Sequence, residues 1–428
     1  MENRFLNIFP GLSEERAIEL LYTPMDQLED ASERYIAAAH LVNFPSARAI
    51  DALLAAVENG DSPLDNRIVR RKAVETLGRL KVERSLPVIC ACLQDEDHYL
   101  VENAAWAIGE IGCNDPEILE ELTALLAKPR QSYRTIIQTL AKLGYTPATG
   151  RIAAFEQSPE PPIASAAITA VGRLSGERAG LERLLPFLQH PNVNARRGVI
   201  QDLMDSEYCE AIPRIAACPV SAVFRLRGIR HLADAGVPTG AVSFEQVESS
   251  LDRVIVDHPR FLEPVHRYER TPRLEELIEE LYSTDFGRCY LATQTIIDYY
   301  PDAGPALVAS FEAAGHNDYG AHYHIVKLLG WLRFGEAREI VVGALHDRRP
   351  QFMKSRSAAA VALAELGDAR VLADLHSCLD SFIWELKYAC LIALEHLEDP
   401  TGAQIALQDA DWVVRAKAER QCTAPLAH

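Results

Sequence analysis

The sequence has no apolar run that approaches the roughly 20 residues a membrane-spanning helix requires. Its beginning also lacks a basic region followed by a long apolar stretch, so we expect no secretory leader. Basic side chains are in the minority, with 43 Lys and Arg against 61 Asp and Glu and a formal net charge of −18. This charge opposes binding to nucleic acid phosphates or to anionic membranes. We therefore expect a cytoplasmic protein that binds no nucleic acid and does not insert into membranes.

Motifs of several enzyme classes are also absent. The sequence contains no CxxC, no HExxH, no GxGxxG after a predicted strand and no GxxxxGK[ST], which argues against common zinc, dinucleotide and nucleotide sites. Its nine cysteines are scattered, and the closest pair, Cys90 and Cys92, would point to different sides of a helix. We expect reduced and mostly buried thiols.

A repeat of about 31 residues is the strongest pattern present. The segments IVRRKAVETLGRL, LVENAAWAIGEIG, SYRTIIQTLAKLG and PIASAAITAVGRL align with one another. The bulky residues that open successive repeats are Val69, Val101, Tyr133, Ile163, Val193 and Phe224, and then Tyr290, Tyr323, Met353, Trp384 and Val414. Apolar residues within each repeat recur at helical spacing, and a turn leads to a second apolar stretch. We predict an all-α fold, a curved α-solenoid of HEAT-like helix pairs with a concave groove.

The rhythm of the repeat divides the chain into regions. It is weak near the start, and it breaks where 66 residues, enough for two repeats, separate Phe224 from Tyr290. We predict a helical cap at 1–60, a first repeat lobe at 61–236, a degenerate repeat joining two lobes at 237–289, and a second repeat lobe at 290–428.

The residue after each opening position would line one side of the solenoid. Half of the ten that we align here are Lys or Arg, although the protein is acidic: Arg70, Glu102, Arg134, Ala164, Asn194, Arg225, His324, Lys354, Glu385 and Arg415. In one interpretation the cations bond to turn aspartates and hold neighbouring repeats in register. In the other they form a cationic trough that binds carboxylates. Both interpretations are open at this point.

The segment HNDYGAHYH, residues 316–324, concentrates titratable side chains. On a helix that begins near Tyr319, that tyrosine and His322 share a face, whereas His322 and His324 do not. A zinc site would need a further well-placed ligand, so we predict no metal here. Asp318 would cap the helix in the simplest structural interpretation. Alternatively the segment is an acid–base cluster, in which a histidine that titrates near neutral pH moves protons.

Two stretches resemble the HEAT-like repeats of phycobilin lyases of the E/F type, especially the single-chain phycoerythrin lyases and lyase-isomerases. They are DHYLVENAAWAIGEIGCND and RSAAAVALAELGDARVLADLHSCLDSFIWELKYACLIALEHLEDP, with ENAAW and SFIWELKYAC the most specific parts. The resemblance covers about residues 30–420. It implies attachment of phycoerythrobilin, an open-chain tetrapyrrole substrate, through a thioether to a cysteine of a phycoerythrin subunit, in particular the α subunit. Isomerisation to phycourobilin is an open addition. No permanently bound cofactor is expected.

A bilin site needs cations for two propionates, a carboxylate for pyrrole N–H groups, and aromatic walls. We therefore predict that Asp318 contacts the pyrrole nitrogens and that Tyr319 or His322 moves protons. The predicted bilin-binding residues are Arg225, Arg227 and Arg288 for the propionates, with His324, Trp106, Glu102, Asn103 and Tyr299 lining the groove. Packing is the structural alternative for the aromatic residues. The alternative function is a non-catalytic adaptor or chaperone that holds pigment or protein only.

Overall fold

The computed structural model describes residues 11–30, 32–60, 63–367 and 369–423. It divides the chain into two compact units, the first ending at Glu182 and the second beginning at Arg183. The regular structure in these ranges consists of α-helices and short 3₁₀ helices, with no strand among the described residues. The prediction of an all-α protein is confirmed.

The described residues of the first unit form ten α-helices. They are α1 Glu14–Tyr22, α2 Glu33–His40, α3 Ala47–Glu58, α4 Leu64–Arg79, α5 Leu86–Ala91, α6 His98–Ile111, α7 Pro116–Ala124, α8 Tyr133–Lys142, α9 Thr149–Ala153 and α10 Pro161–Ser175. The longer helices α4, α6, α8 and α10 pack successively, each against the next, and the shorter helices alternate with them. This arrangement is the stacking of helix pairs that defines an α-solenoid.

The second unit, over its described part, contains fourteen α-helices. They are α11 Val193–Asp205, α12 Ile212–Ala216, α13 Ala222–Thr239, α14 Phe244–Val256, α15 Leu274–Glu280, α16 Phe286–Tyr299, α17 Gly304–Ala313, α18 Tyr319–Trp331, α19 Arg338–His346, α20 Met353–Glu365, α21 Leu372–Cys378, α22 Trp384–His396, α23 Thr401–Ala406 and α24 Trp412–Thr423. Helices α16, α18, α20, α22 and α24 pack in sequence. The predicted opening residues lie in these two series of helices, except Val193 in α11 and Phe224 in α13, two helices that pack on each other.

Helix ends follow from local sequence. Asp115 accepts a hydrogen bond from the backbone N–H of Glu117 and caps α7, whose first residue is proline. Gly112 and Gly144 follow helical segments with φ of 88° and 67°, a backbone region that suits glycine. Eight of the nine cysteines are buried, as predicted. None of the helices in the described ranges is both long and apolar enough to span a membrane.

Close stacking depends on small residues, and Gly330 in α18 is the clearest case. A Cβ at this position would lie 2.6 Å from the Cα of Ala362 in α20, so the new methyl group would clash with the backbone of the neighbouring helix. Gly330→Ala is therefore expected to lower the free energy of unfolding by about 1–3 kcal/mol, although alanine favours helix. Thermal unfolding measures the loss. Gly343→Ala is the control, because a Cβ there has nothing within 4 Å and should be neutral or slightly stabilising.

The segment 237–289 does not separate the two compact units. It lies wholly within the second unit, and the unit boundary falls inside the predicted first lobe. The physical reason is α14, which packs on α13 and also across α20 and α22. On α24, Lys417 donates to Glu248 at 3.0 Å and to Asp252 at 2.9 Å, both on α14. The segment therefore packs both on α13 and on the C-terminal repeats, and its description as a degenerate repeat that joins two lobes stays a prediction.

Candidate functional site

Helix α18 begins where the sequence predicted, and Asp318 is its N-cap. The Asp318 Oδ1 atom accepts hydrogen bonds from the backbone N–H groups of Gly320 at 2.8 Å and Ala321 at 2.7 Å. The simplest structural interpretation is thus confirmed, while Oδ2 takes part in neither bond. Tyr319, the first residue of the helix, is 44% exposed. Asp318 and Tyr319 are both accessible enough to meet a ligand.

The two histidines of α18 do not titrate near neutral pH, which corrects the prediction. His322 is buried, with its ring stacked on Phe352 at 4.3 Å and close to Phe311, and burial lowers its pKa to about 4. His324 is buried on another side of the helix, beside Phe286, and burial together with Lys354 lowers its pKa to about 3. Both rings are neutral because neighbouring helices enclose α18.

A fully buried ionic centre lies next to this helix. Asp257 follows α14 in the left-handed conformation, with φ of 52°. Its carboxylate pairs with Arg225 of α13 and with Lys327 of α18, whose Nζ is 3.4 Å from Oδ2. The hydroxyls of Tyr290 and Tyr323 donate to the same Oδ2 at 2.9 and 2.6 Å. Burial raises the pKa of Asp257, but the two cations and the Tyr323 hydroxyl outweigh it and bring the pKa to about 2.

The ionic centre contradicts the predicted propionate contact at Arg225. This side chain is fully buried, and its other donors go to the backbone carbonyls of Val220 at 3.0 Å and Ala216 at 3.1 Å. A buried guanidinium whose three nitrogens all bond to protein does not reach a pigment. Arg225 instead holds α13 to Asp257, as the register interpretation of the sequence describes.

The other basic residues that follow an opening position also bond to protein groups, with one exception. Arg70 pairs with Asp95, Arg134 donates to the carbonyl of Pro162, and Arg415 donates to the carbonyl of Asp409. Lys354 at the start of α20 differs. Its Nζ is buried and has no hydrogen-bond partner among the described residues.

Aromatic rings surround Lys354. Its Nζ lies 3.3 Å from the ring centroid of Tyr319, 4.2 Å from that of Phe286 and 4.9 Å from that of Tyr323. Ring faces attract an ammonium but give it no lone pair to bond. Burial holds the pKa of Lys354 well below its usual range. Lys354 is one of the residues that follow an opening position, but it was not among the predicted site residues.

Lys354 lines a cavity of about 190 Å³. Apolar side chains of α13, α14 and α20 form most of its wall, among them Leu226 and Val254, and its polar lining consists of Tyr323, Lys354, Ser357 and Glu385. A larger and more open cavity of about 520 Å³ is lined by Tyr268, Glu269, Arg270, Pro272, Glu276 and Glu280. Its three carboxylates oppose a ligand that carries propionates. The smaller cavity is the better candidate for such a ligand.

The remaining predicted residues fall into two groups. In the second unit, Arg227 is exposed and donates to Gln201 at 3.3 Å, Arg288 lies 3.5 Å from Glu280, and Tyr299 is 63% exposed. None of these three is among the residues lining the Lys354 cavity. Their roles stay predictions.

The second group lies together on α6 of the first unit. Glu102 accepts from Thr135 at 3.1 Å, Asn103 donates to the carbonyl of Arg71 at 3.0 Å, and the ring of Trp106 lies 5.8 Å from the Arg79 guanidinium. These bonds join neighbouring repeats, and the bilin-binding role of all three stays a prediction.

Groups of His, Cys, Asp or Glu arranged to hold a metal ion do not occur within the described residues. Tyr319 and His324 meet around Phe286, with ring centroids 6.1 and 4.9 Å from it, whereas His322 packs elsewhere. The structure thus brings Asp318, Tyr319 and Lys354 to one side of the start of α18.

Comparison with known proteins first defines the class. Residues 64–141 match the family description "HEAT repeats", and residues 33–59 and 355–381 match "PBS lyase HEAT-like repeat". Together with the helix stacking, these matches confirm the α-solenoid of HEAT-like repeats.

Relatives then define the family. "Uncharacterized phycocyanin operon protein Y" of Pseudanabaena tenuis is 51% identical over 97% of this chain and 99% of its own length. "Bilin biosynthesis protein CpeY" of Synechococcus sp. (strain WH8020) is 31% identical over 91% of this chain and 97% of its own. A solved complex of CpcE and CpcF of phycocyanin lyase from Nostoc sp. covers 57% of this chain and 95% of the matched chain at 27% identity, with a TM-score of 0.48. This chain belongs to the E/F-type family of HEAT-repeat phycobilin lyases.

Proposed function

We propose that this protein is a bilin lyase, which binds an open-chain tetrapyrrole and joins it through a thioether to a cysteine of a phycobiliprotein subunit. The observation that carries the proposal is the 31% identity to a bilin biosynthesis protein, which extends over 91% of the chain. A mainly apolar cavity with a buried, unpaired ammonium supports it, because a bilin combines a conjugated apolar body with carboxylate arms.

The proposed reaction is an addition and needs no oxidant. The S–H bond of the acceptor cysteine breaks, a bond forms between its sulfur and the ethylidene carbon of ring A, and a proton passes to the pigment. The acceptor supplies the nucleophile, so the lyase has to orient the pigment and move protons. If isomerisation accompanies attachment, it shifts a double bond and again moves only a proton.

Asp318 and Tyr319 are the proposed catalytic residues, one for orienting the pigment and one for proton transfer. Asp318 keeps one oxygen outside its capping bonds, and Tyr319 is partly exposed beside it. In the proposal, the Asp318 carboxylate accepts hydrogen bonds from the pyrrole N–H groups, and Tyr319 transfers a proton to the pigment. His322 is not included, since its ring is packed between Phe311 and Phe352 and has a low pKa.

The finer proposal names phycoerythrobilin as the pigment and a phycoerythrin subunit, in particular the α subunit, as the acceptor. Its support is the resemblance of ENAAW and SFIWELKYAC to phycoerythrin lyases. A relative with 51% identity carries phycocyanin in its name, so phycocyanin subunits are the second class of acceptor to test. No resident cofactor enters the proposed reaction.

The test is co-expression of this protein with a phycoerythrin α subunit and a supply of phycoerythrobilin. The purified subunit is then denatured in acidic urea and its absorption spectrum recorded. Covalent colour at the phycoerythrobilin position is expected for a lyase, and colour at the phycourobilin position for a lyase-isomerase. If neither phycoerythrin nor phycocyanin subunits become coloured while they bind this protein tightly, a non-catalytic chaperone replaces the lyase.

A further inference from the structure

We infer that the cavity beside α20 anchors one propionate of the pigment, with Lys354 Nζ as the counter-ion and Ser357 Oγ as a hydrogen-bond donor. The identity of the ligand rests on the proposed function. The cavity itself defines the class of ligand, an apolar molecule that carries an aliphatic carboxylate.

Two unsatisfied donors mark the position of the carboxylate. Lys354 and Ser357 are three residues apart on α20, and therefore lie on the same face of the helix. Both line the cavity, and both their polar atoms are buried without a hydrogen-bond partner within the described part of the chain. Buried donors normally have a hydrogen-bond partner. A ligand oxygen that accepts from both groups would therefore account for the missing protein partners. A carboxylate offers enough acceptor positions for both.

The surroundings of Lys354 Nζ contain ring faces but, among the described residues, no hydrogen-bond acceptor for it. Tyr319, Phe286 and Tyr323 present ring faces to Nζ. The carboxylate of Asp257 is already bonded to Arg225 and Lys327. A bound propionate would give Nζ the anion that it lacks and would favour its protonated form.

The size and rim of the cavity indicate how the rest of the pigment lies. A volume of about 190 Å³ is below the range of about 300–1,000 Å³ typical of sites that enclose a whole ligand. It suits one arm of a bilin, with the conjugated body outside. Val223 of the lining is 45% exposed, and Phe382, which precedes the lining residue Ile383, is 87% exposed. These apolar groups offer a surface for the conjugated body.

The experiment measures equilibrium binding of phycoerythrobilin as the free acid and as its dimethyl ester, with no acceptor protein present. Wild type is expected to bind the acid at least about tenfold more tightly than the ester, because a charged hydrogen bond is lost in the ester. Lys354→Met is expected to weaken acid binding by about ten- to a hundredfold and to remove the preference. Ser357→Ala should weaken acid binding by only about three- to tenfold.

Two further variants separate charge from folding. Lys354→Arg keeps the cation and is expected to keep a preference for the acid. Lys142→Met removes a lysine that pairs with Glu110 on the first unit and is expected to bind like wild type. The helical circular dichroism of Lys354→Met should match wild type, since the lost ammonium has no hydrogen bond to protein.

The inference is overturned if Lys354→Met binds the acid as wild type does, if wild type binds acid and ester equally, or if wild type binds neither. Failure of the lyase proposal gives a different pattern. In that case the acid preference and its loss in Lys354→Met persist, while co-expression yields no covalent pigment.

Discussion

Asp257→Ala is expected to lower the free energy of unfolding of the second unit by about 3–5 kcal/mol. Asp257 is fully buried and balances two buried cations, Arg225 and Lys327, which its removal would leave without an anion. It also accepts hydrogen bonds from the hydroxyls of Tyr290 and Tyr323. Urea unfolding followed by helical circular dichroism measures the loss.

Glu263→Ala is the matched control. Glu263 also pairs with an arginine, Arg214, at 3.3 Å, but both side chains are more than 40% exposed. An exposed ion pair contributes only about 0–1 kcal/mol. A loss for Asp257→Ala no larger than that of the control would show that the ionic centre does not stabilise the unit.

Acid should weaken the same centre in a defined pH range. The pKa of Asp257 in the folded protein is about 2, below its usual 3.8, because the cations outweigh burial. Its carboxylate therefore contributes full stability above about pH 4, and the contribution disappears as the pH falls from there through about 2. Asp257→Asn should flatten this part of the dependence of unfolding free energy on pH, when urea unfolding is repeated from pH 5 to pH 2.

Asp318→Asn and Asp318→Ala are expected to differ in stability but not in activity. Asparagine caps a helix about as well as aspartate, whereas alanine cannot accept the two N–H bonds, so only Asp318→Ala should lose about 1 kcal/mol of unfolding free energy. Both lack the carboxylate that the proposed reaction uses. Attachment should therefore slow by about ten- to a hundredfold in both, because a charged hydrogen bond to the pigment is lost, and the rate of covalent colour formation measures this.

Asp115→Asn serves as the control for capping alone. Asp115 caps α7 in the first unit through the N–H of Glu117, and the substitution should change neither stability nor attachment appreciably. If Asp318→Asn attaches pigment at the wild-type rate, Asp318 is only a helix cap and its carboxylate does not bind the pyrrole N–H groups.

The repeat architecture was predictable because it rests on local rules. Spacing of apolar residues sets each helix, and residues such as Asp115 and Gly112 set its ends. The broken rhythm predicted a degenerate repeat at 237–289, but it gave no information on the position of this segment in the fold. That position depends on contacts of α14 with α20 and α22, about 100 to 150 residues further along the chain.

The site was predicted less well, for a physical reason. In one interpretation a histidine of residues 316–324 titrates near neutral pH, yet Phe352 packs on His322 and Phe286 on His324. A histidine's pKa depends on these surroundings rather than on the residues beside it in sequence. The repeat spacing identified the residues that follow each opening position, and Lys354 is one of them. Only the structure shows which of these basic residues bond to protein groups and which do not.

Asp257 gave no signal in the sequence. Its partners Arg225, Tyr290 and Tyr323 are 32, 33 and 66 residues away, and nothing in the local segment VDHP marks a buried carboxylate. The repeat position was the available clue, because Tyr290 and Tyr323 open their repeats and Arg225 directly follows an opening residue. All three therefore lie near the same ends of stacked helices.

The contacts of α14 have an evolutionary consequence. Solenoids ordinarily change length by gaining or losing whole repeats, because each repeat touches only its neighbours. Here Glu248 and Asp252 reach Lys417, 169 and 165 residues further on. Insertion or deletion of one repeat between them would displace Lys417 by a full repeat and break both ion pairs. A change in the number of repeats in the second unit would therefore cost both ion pairs, whereas substitution within existing repeats can keep them.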